Sequence, residues 1–560
     1  MLARLSGGLR RDWGVLHDGS RESRRSGHDL RILSSILIGL GGLAIVLAVR
    51  VAADRSGLPA AVLFVVTGLV LSVLPGPTAQ LEPDVVLELV IPPLLYAAAL
   101  NASMVEIRSN LRRIASLSVG LVLGTALAVG AALDAVVGGL GFAAALALGA
   151  AVAPPDPVAA LAIGRRAGLP SRLSTLIEGE GLLNDATALT LYGIAVSAAT
   201  TGAGLSLPGG VLRFVAATAG GLAAGVAVAW VVRLARRQLD DPLLENALSL
   251  ATPFAAYALA ESIDTSGVLA VVIAGLWLGH QSPLIESGAS RLQTRAVWRL
   301  VEFVLEGYVF LLIGQQAPDI VDDLGTYSTG TVVGAAAATV GVVLLVRPVW
   351  LFGLRSDTRA PDGTRLSLRD VAALSWAGTR GVITLATAFA LPLAFPDRHL
   401  LLFCAYLVVL VTLVGQGLTF APLLRRLRLR ADEGDERRVR AEARLAAVDA
   451  GRERLDEVIA EQDLPEEAAR RLRLLYDGRR RAAEQRLRRA EARLQAHDDE
   501  EAEERLSTTV EAIGVLRRAA IDAEREELVR WRDAGRLPES SLRALTRELD
   551  YQEGLLSGGA

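Results

Sequence analysis

Four ionisable residues, Asp156, Glu180, Asp185 and Arg380, sit inside otherwise apolar stretches. On the insertion scale each costs about 2.5–3.5 kcal/mol at the centre of a spanning helix, so four together approach a nominal ~10 kcal/mol. A cost of that size calls for pairing, hydration or use. Two of the acids fall in Glu178-Gly179-Glu180-Gly181-Leu182-Leu183-Asn184-Asp185-Ala186-Thr187. Glu180 and Asn184 are four apart, as are Gly181 and Asp185, so each pair shares one side of a helix. Glu180 and Asp185 then point to adjacent faces, which lets one pair with Arg380 while the other faces a cavity. At a desolvated carboxylate open to an arriving cation, proton and cation compete.

For these groups to meet, the chain must bring interruptions in its helices to one depth. The first interruption is Ala151-Val152-Ala153-Pro154-Pro155-Asp156-Pro157-Val158, where three prolines flank an acid and no continuous helix can pass. Asp156 is placed to cap a helix starting at Pro157. A tight turn between two separate helices is the simpler reading, but each arm then holds only about ten to thirteen residues, short of the roughly 20 that cross a bilayer. A single broken span fits better, its irregular backbone satisfied by protein or a water-filled cavity. The second interruption is Gly378-Thr379-Arg380-Gly381, where glycines flank the arginine.

The elements that must position these groups are read from composition and hydropathy. The chain has 560 residues, 52% of them hydrophobic, and a mean hydropathy of +0.40, too apolar for an ordinary soluble protein of this size. With 21% charged residues and a formal net charge of -3 there is no basic field to recruit nucleic acid. The lone Cys404 cannot form an intrachain disulfide, no Cys/His spacing suggests a zinc or iron-sulfur site, and no cofactor is expected. Lysine is absent, so every fixed positive side chain is an arginine.

Apolar runs centre on 32–52, 58–74, 84–100, 113–137, 140–164, 173–199, 207–236, 244–260, 264–280, 297–316, 329–352, 368–392 and 399–422, which gives an all-α polytopic membrane protein with about thirteen transmembrane helices. Arginine-bearing loops alternate with acidic or neutral ones. Arg50 and Arg55, Arg108 to Arg113, Arg165 to Arg172, Arg233 to Arg237, Arg291 and Arg295, and Arg355 to Arg365 form the inner set. Glu82 and Asp84, Asp134, Glu261 and Asp264, and Asp319 to Asp323 form the outer set. An odd span number puts the start outside and the end, beginning at Arg425, inside. The leader 1–31 opposes this assignment, with seven arginines against four acids and no signal-peptide core. The two interruptions fall in the fifth and twelfth spans. Being seven apart, they run oppositely through the membrane and imply an inverted six-helix repeat with two crossing broken helices, the pattern that points to a transporter's midplane site. Residues 32–422 thus form the membrane domain, and 423–560 a charged helical tail. There the element Leu-Pro-Glu, at Leu464-Pro465-Glu466 and Leu537-Pro538-Glu539, marks helix starts within long runs such as Arg479 to Trp531.

These residues resemble the monovalent cation/proton antiporters of the sodium/proton exchanger type, over nearly everything after residue 32. The most specific part is Glu178 to Asp185, similar to the family's Glu-Gly-Glu-Ser-Leu-Leu-Asn-Asp signature. Ile91-Pro92-Pro93-Leu94-Leu95, Asp156-Pro157-Val158-Ala159, Ser266 to Ala270 and Gly378 to Gly381 support it. The resemblance implies a homodimer in the plasma membrane with a cytoplasmic tail, in which the fifth, sixth and twelfth spans move against a dimerisation bundle. It implies that Asp185 binds cation or proton in turn, that Asp156 shapes the site and holds Asn184, that Glu180 pairs with Arg380, and that Asn184 marks one-for-one electroneutral exchange. Pro154 and Pro157, with Gly378, Thr379 and Gly381, form the broken-helix elements. Two departures matter: Pro155 stands where the family has Thr, and Gly181 where it has Ser. A hydroxyl is lost at each, which opens the cation's ligand set to water or Thr187 and leaves potassium or lithium beside sodium.

Arg347, Glu302 and Glu306 each lie nearer a segment end or belong to interhelical contacts, and read as snorkelling or packing residues. His280 reads as interfacial and Cys404 as inert packing. Two other functional classes are open to the sequence: an intramembrane aspartyl protease built on two aspartates, and a non-transporting cation sensor signalling through the tail. The Pro155-Asp156-Pro157 and Leu183-Asn184-Asp185 contexts, and the opposing Arg380, argue against the protease.

Overall fold

The computed structural model describes residues 39–74, 84–201, 207–239, 241–357, 365–429, 433–462, 465–495 and scattered positions between 516 and 553. The leader 1–31, Pro538 and Glu539 lie outside the described residues, as do 496–515 of the run from Arg479 to Trp531. Two compact units are present, Met1–Ala431 and Asp432–Ala560. Among the described residues every regular element is helical.

Helix follows each apolar run of the first unit. In chain order these are α1 (39–56), α2 (Ala60–Ser72), α3 (Val85–Asn101), α4 (Leu111–Val136), α5 (Phe142–Val152), α6 (Pro157–Arg166), α7 (Ser171–Thr201) and α8 (Leu207–Arg236). They continue with α9 (Pro242–Glu261), α10 (Gly267–Ile285), α11 (Gly288–Gln315), α12 (Thr329–Asp357), α13 (Leu368–Trp376), α14 (Val382–Phe389) and α15 (Arg398–Leu427). Seven helical stretches among the described residues are long and apolar enough to cross a membrane, the α5–α6 stretch counted as one, and α2 and α3 are shorter apolar helices.

Local chemistry sets the helix starts. Asp241 accepts from the Leu243 N–H with Pro242 in first position, Ser266 and Ser287 cap α10 and α11, and Ser367 with Asp370 makes a reciprocal capping box on α13. Each cap satisfies N–H groups that a helix leaves orphaned. Packing relies on small residues, as lipid-immersed helices must. A Cβ on Gly68 of α2 would lie 3.0 Å from the Gly314 Cα of α11, and one on Gly314 would lie 2.8 Å from the Gly68 Cα. This approach fixes α11 against α2.

Burial distinguishes the elements. Most residues of the α5–α6 stretch are buried inside the unit, and a minority of those of α8 are. Unwound backbone survives at membrane depth only when protein or water surrounds it, so the broken element belongs at the centre. The outward residues of α8, among them Val211, Leu212, Trp230 and Val231, are exposed and apolar, a surface matched to hydrocarbon. In the second unit, α16 (Glu433–Glu461) and α17 (Glu466–Gln495) pack on each other. Arg473–Asp456 at 2.8 Å and Arg480–Asp449 at 2.7 Å join them, and Gly451 lies against the Tyr476 ring.

Candidate functional site

The two helix breaks meet. Between α5 and α6 the Asp156 N–H donates to the Thr379 carbonyl at 2.7 Å, and the Thr379 hydroxyl donates back to the Asp156 carbonyl at 2.9 Å. Each unwound segment thus satisfies part of the other's backbone. The Asp156 carboxylate accepts from the Val158 N–H at 2.9 Å and caps α6. Its other oxygen lies against Gly381, where a Cβ would come within 1.9 Å of it, so only glycine fits. The carboxylate therefore stands at the N-terminus of α6 and beside the start of α14, two sites of partial positive charge.

Arg380 provides the opposite charge. Its Nε donates to the Val152 carbonyl at 2.7 Å, at the C-terminal end of α5, and its Nη1 donates to the Gly378 carbonyl just beyond α13. One guanidinium serves the negative ends of two half-helices. Its backbone N–H donates to the Thr412 hydroxyl at 2.9 Å, within a π-helical turn, Val411–Gln416, of α15.

The pairing expected of Glu180 with Arg380 is not the one that forms. Both Glu180 oxygens are held by Arg347 of α12, with Nη2 to Oε2 at 2.8 Å, while the Arg347 Nε donates to the Leu374 carbonyl at 2.8 Å. Arg380 turns its Nε and Nη1 to main-chain carbonyls, while both Nη atoms of Arg347 face Glu180. Arg347, read from sequence as a packing or snorkelling residue, is 3% exposed, and α12 runs on to Asp357, beyond the apolar run, which places position 347 well inside it. Asn184 also has a different partner from the one expected. Its Nδ2 donates at 2.8 Å to the carbonyl of Pro155 rather than to Asp156, because the unwound chain presents that carbonyl to α7. The Asn184 Oδ1 is buried without a hydrogen-bond partner among the described residues.

A cavity of about 130 Å³ lies where these elements converge. Asp156 and Asp185 both line it, with Pro154, Pro155, Pro157, Gly181 and Gly381. Glu180, Asn184, Thr187, Gly378, Thr379 and Arg380 are not among the residues that line it. Thr187 is buried, yet does not reach the cavity. Three lining residues with polar side chains were not singled out as site residues by the sequence. Thr384 of α14 brings a hydroxyl, Glu178 is ion-paired to Arg165, and Glu306 of α11 is a further carboxylate. Where the resembled family has a serine, a Cβ on Gly181 would lie 2.3 Å from the Pro157 Cγ. The proline ring fills the space that a serine side chain would need. The polar groups on the wall can hold a small cation by oxygen ligands, with water completing its shell.

Residues 42–426 match the family described as "Sodium/hydrogen exchanger, transmembrane". The chain is 36% identical over 388 residues to the uncharacterized Na(+)/H(+) exchanger Rv2287 of Mycobacterium tuberculosis, covering 66% of this chain and 70% of that one. It is 29% identical over 355 residues to a sodium, potassium, lithium and rubidium/H(+) antiporter of Bacillus subtilis, covering 60% and 53%. The solved sodium proton antiporter MjNhaP1 of Methanocaldococcus jannaschii superimposes with a TM-score of 0.56 at 16% identity, over 70% of this chain and 99% of that one, a likeness of fold. These relatives are transporters, not enzymes. The match spans more than half of the sequence and includes both helix breaks and the acidic helix between them, and the chain belongs to the sodium/hydrogen exchanger family.

Proposed function

We propose that this protein exchanges a monovalent cation for protons one for one, electroneutrally and by alternating access, with Asp185 as the exchanging carboxylate. The observation that carries this reading is the joint lining of one cavity by Asp156 and Asp185 at the meeting point of two helix breaks. A proton or a cation neutralises the Asp185 carboxylate, and the loaded forms are the ones that cross. Asp156 shapes the pocket from the half-helix N-termini, Asn184 positions the Pro155 segment, and the Glu180–Arg347 pair and Arg380 hold the crossing together. Sodium is the first cation expected, with potassium and lithium as alternatives, a breadth in keeping with the printed name of the Bacillus subtilis relative. About thirteen spans in an inverted six-helix repeat, an inner face marked by the arginine-bearing loops, a cytoplasmic tail from residue 423 and a homodimer in the plasma membrane complete the reading.

Reconstituted vesicles test it. Sodium, potassium or lithium added on one side should drive proton movement in the other direction, and clamping the membrane potential should leave the rate unaltered. Asp185→Asn should abolish the flux while the protein keeps its elution profile and melting behaviour. Flux retained by Asp185→Asn rejects the site, and no flux from the wild type rejects the function in favour of a sensor.

A further inference from the structure

A second cavity, of about 380 Å³, adjoins the first. Val158, Glu306 and Phe310 line both, so they form the partition between them. Arg50, Arg166 and Arg425 also line the larger cavity, and the exposed side chains of Arg50 and Arg166 open it to the surface. Asp54 is shared by Arg50 and Arg166, at 3.2 Å from each. A cation entering here meets a vestibule with more guanidinium than carboxylate charge, an electrostatic obstacle rather than a lure. Among the described residues Glu306 is the one acidic residue on the vestibule wall. No ion pair or hydrogen bond engages it among the described residues, whereas Glu178, the third acid of the inner cavity after the two aspartates, is tied to Arg165. An ionisable group kept at that depth without a partner is a functional group by default. Its helix, α11, packs closely on α2 through Gly314 and Gly68, so Glu306 reaches the partition from a helix other than the three that carry the breaks and Asp185.

We propose that Glu306 is a waiting site for the monovalent cation: the ion leaving the arginine-lined vestibule is held first at this carboxylate, then passed across the partition to Asp156 and Asp185. The inference rests on the antiport reading and assigns Glu306 to one direction of approach. Removing its charge therefore weakens cation capture from the vestibule face and leaves capture from the opposite face alone.

The test measures cation-driven proton flux in oriented membrane vesicles, with sodium added at either face, for wild type, Glu306→Gln and Glu306→Asp. Glu306→Gln should raise the half-saturating sodium concentration several-fold at the vestibule face only, and Glu306→Asp, which keeps the charge, should raise it less. A wild-type half-saturation in Glu306→Gln, an equal rise at both faces, or identical behaviour of the Gln and Asp proteins overturns the waiting site. Should Glu306→Gln not be recovered folded, Glu306→Asn against Glu306→Asp replaces it, two side chains of one size differing in charge, with Asn expected to be the weaker binder. Absence of exchange by the wild type refutes the antiport reading itself, whereas exchange with no effect at Glu306 refutes only the waiting site.

Discussion

Arg347→Met tests which arginine holds Glu180. The substitution keeps most of the buried stem and deletes the guanidinium, leaving a carboxylate that is 1% exposed without either of its charge-assisted bonds and the Leu374 carbonyl without its donor. Removing one partner of a buried pair costs about 3–5 kcal/mol, most of it from the stranded charge. That corresponds to roughly a 10²- to 10⁴-fold fall in the folded-to-unfolded ratio, at about 1.4 kcal/mol per tenfold. Glu180→Gln strands Arg347 in turn, and the double variant strands neither, so its loss should be close to that of one single variant rather than to their sum. The assay is thermal or denaturant unfolding of purified protein in detergent, followed by tryptophan fluorescence, across the cycle of wild type, two singles and the double. The same cycle between Glu180 and Arg380 should show a smaller coupling than that between Glu180 and Arg347, since no hydrogen bond joins Glu180 to Arg380 among the described residues and Arg380 donates to Val152 and Gly378. A Glu180–Arg380 coupling larger than that of Glu180 with Arg347, or additive losses for Glu180 and Arg347, would refute the pairing described.

Three further outcomes are expected. Gly381→Ala drives a methyl to within 1.9 Å of the Asp156 carboxylate oxygen; overpacking of this kind costs about 1–3 kcal/mol, and unfolding plus vesicle flux should show both destabilisation and slowed exchange. Gly181→Ser should not restore family-like sodium binding, because its Cβ meets the Pro157 ring at 2.3 Å; adding Pro157→Ala to make room should recover part of the lost stability, measured by melting. If proton and cation share one carboxylate, raising pH removes the competitor. While protonation dominates, the half-saturating sodium concentration should then fall about tenfold per pH unit and level off once the group is ionised; a half-saturation that does not change with pH would count against a shared carboxylate.

Much of the site was legible because it is written in residues with strong local meaning. Pro154, Pro155 and Pro157 cannot continue a helix, Gly378 and Gly381 loosen one, and an aspartate ahead of Pro157 reads as a cap, so both breaks and the N-cap role of Asp156 follow from local rules. Partnerships across the fold do not. Whether Glu180 meets Arg347 or Arg380 depends on which guanidinium is nearer and which is already engaged, and periodicity carries neither fact. Glu306 stands at the middle of the run 297–316, and what makes it matter, that α11 turns it into the wall of the cavity lined by the two aspartates, is a tertiary fact that hydropathy does not carry. Thr384 gave no signal, since threonine is unremarkable in an apolar helix and matters here only because α14 begins at the break.

The charges at the crossing have a consequence for how a membrane voltage acts on it. Asp156 faces two half-helix beginnings and Arg380 two half-helix ends, so a negative group, a positive group and four dipole ends are fastened into one piece of backbone. An electric field does work on net displaced charge, about 2.3 kcal/mol per elementary charge per 100 mV. Under the alternating access proposed above, a piece that carries its own counterion travels nearly for free, and whatever electrical work accompanies its displacement belongs to the passenger rather than to the carriage.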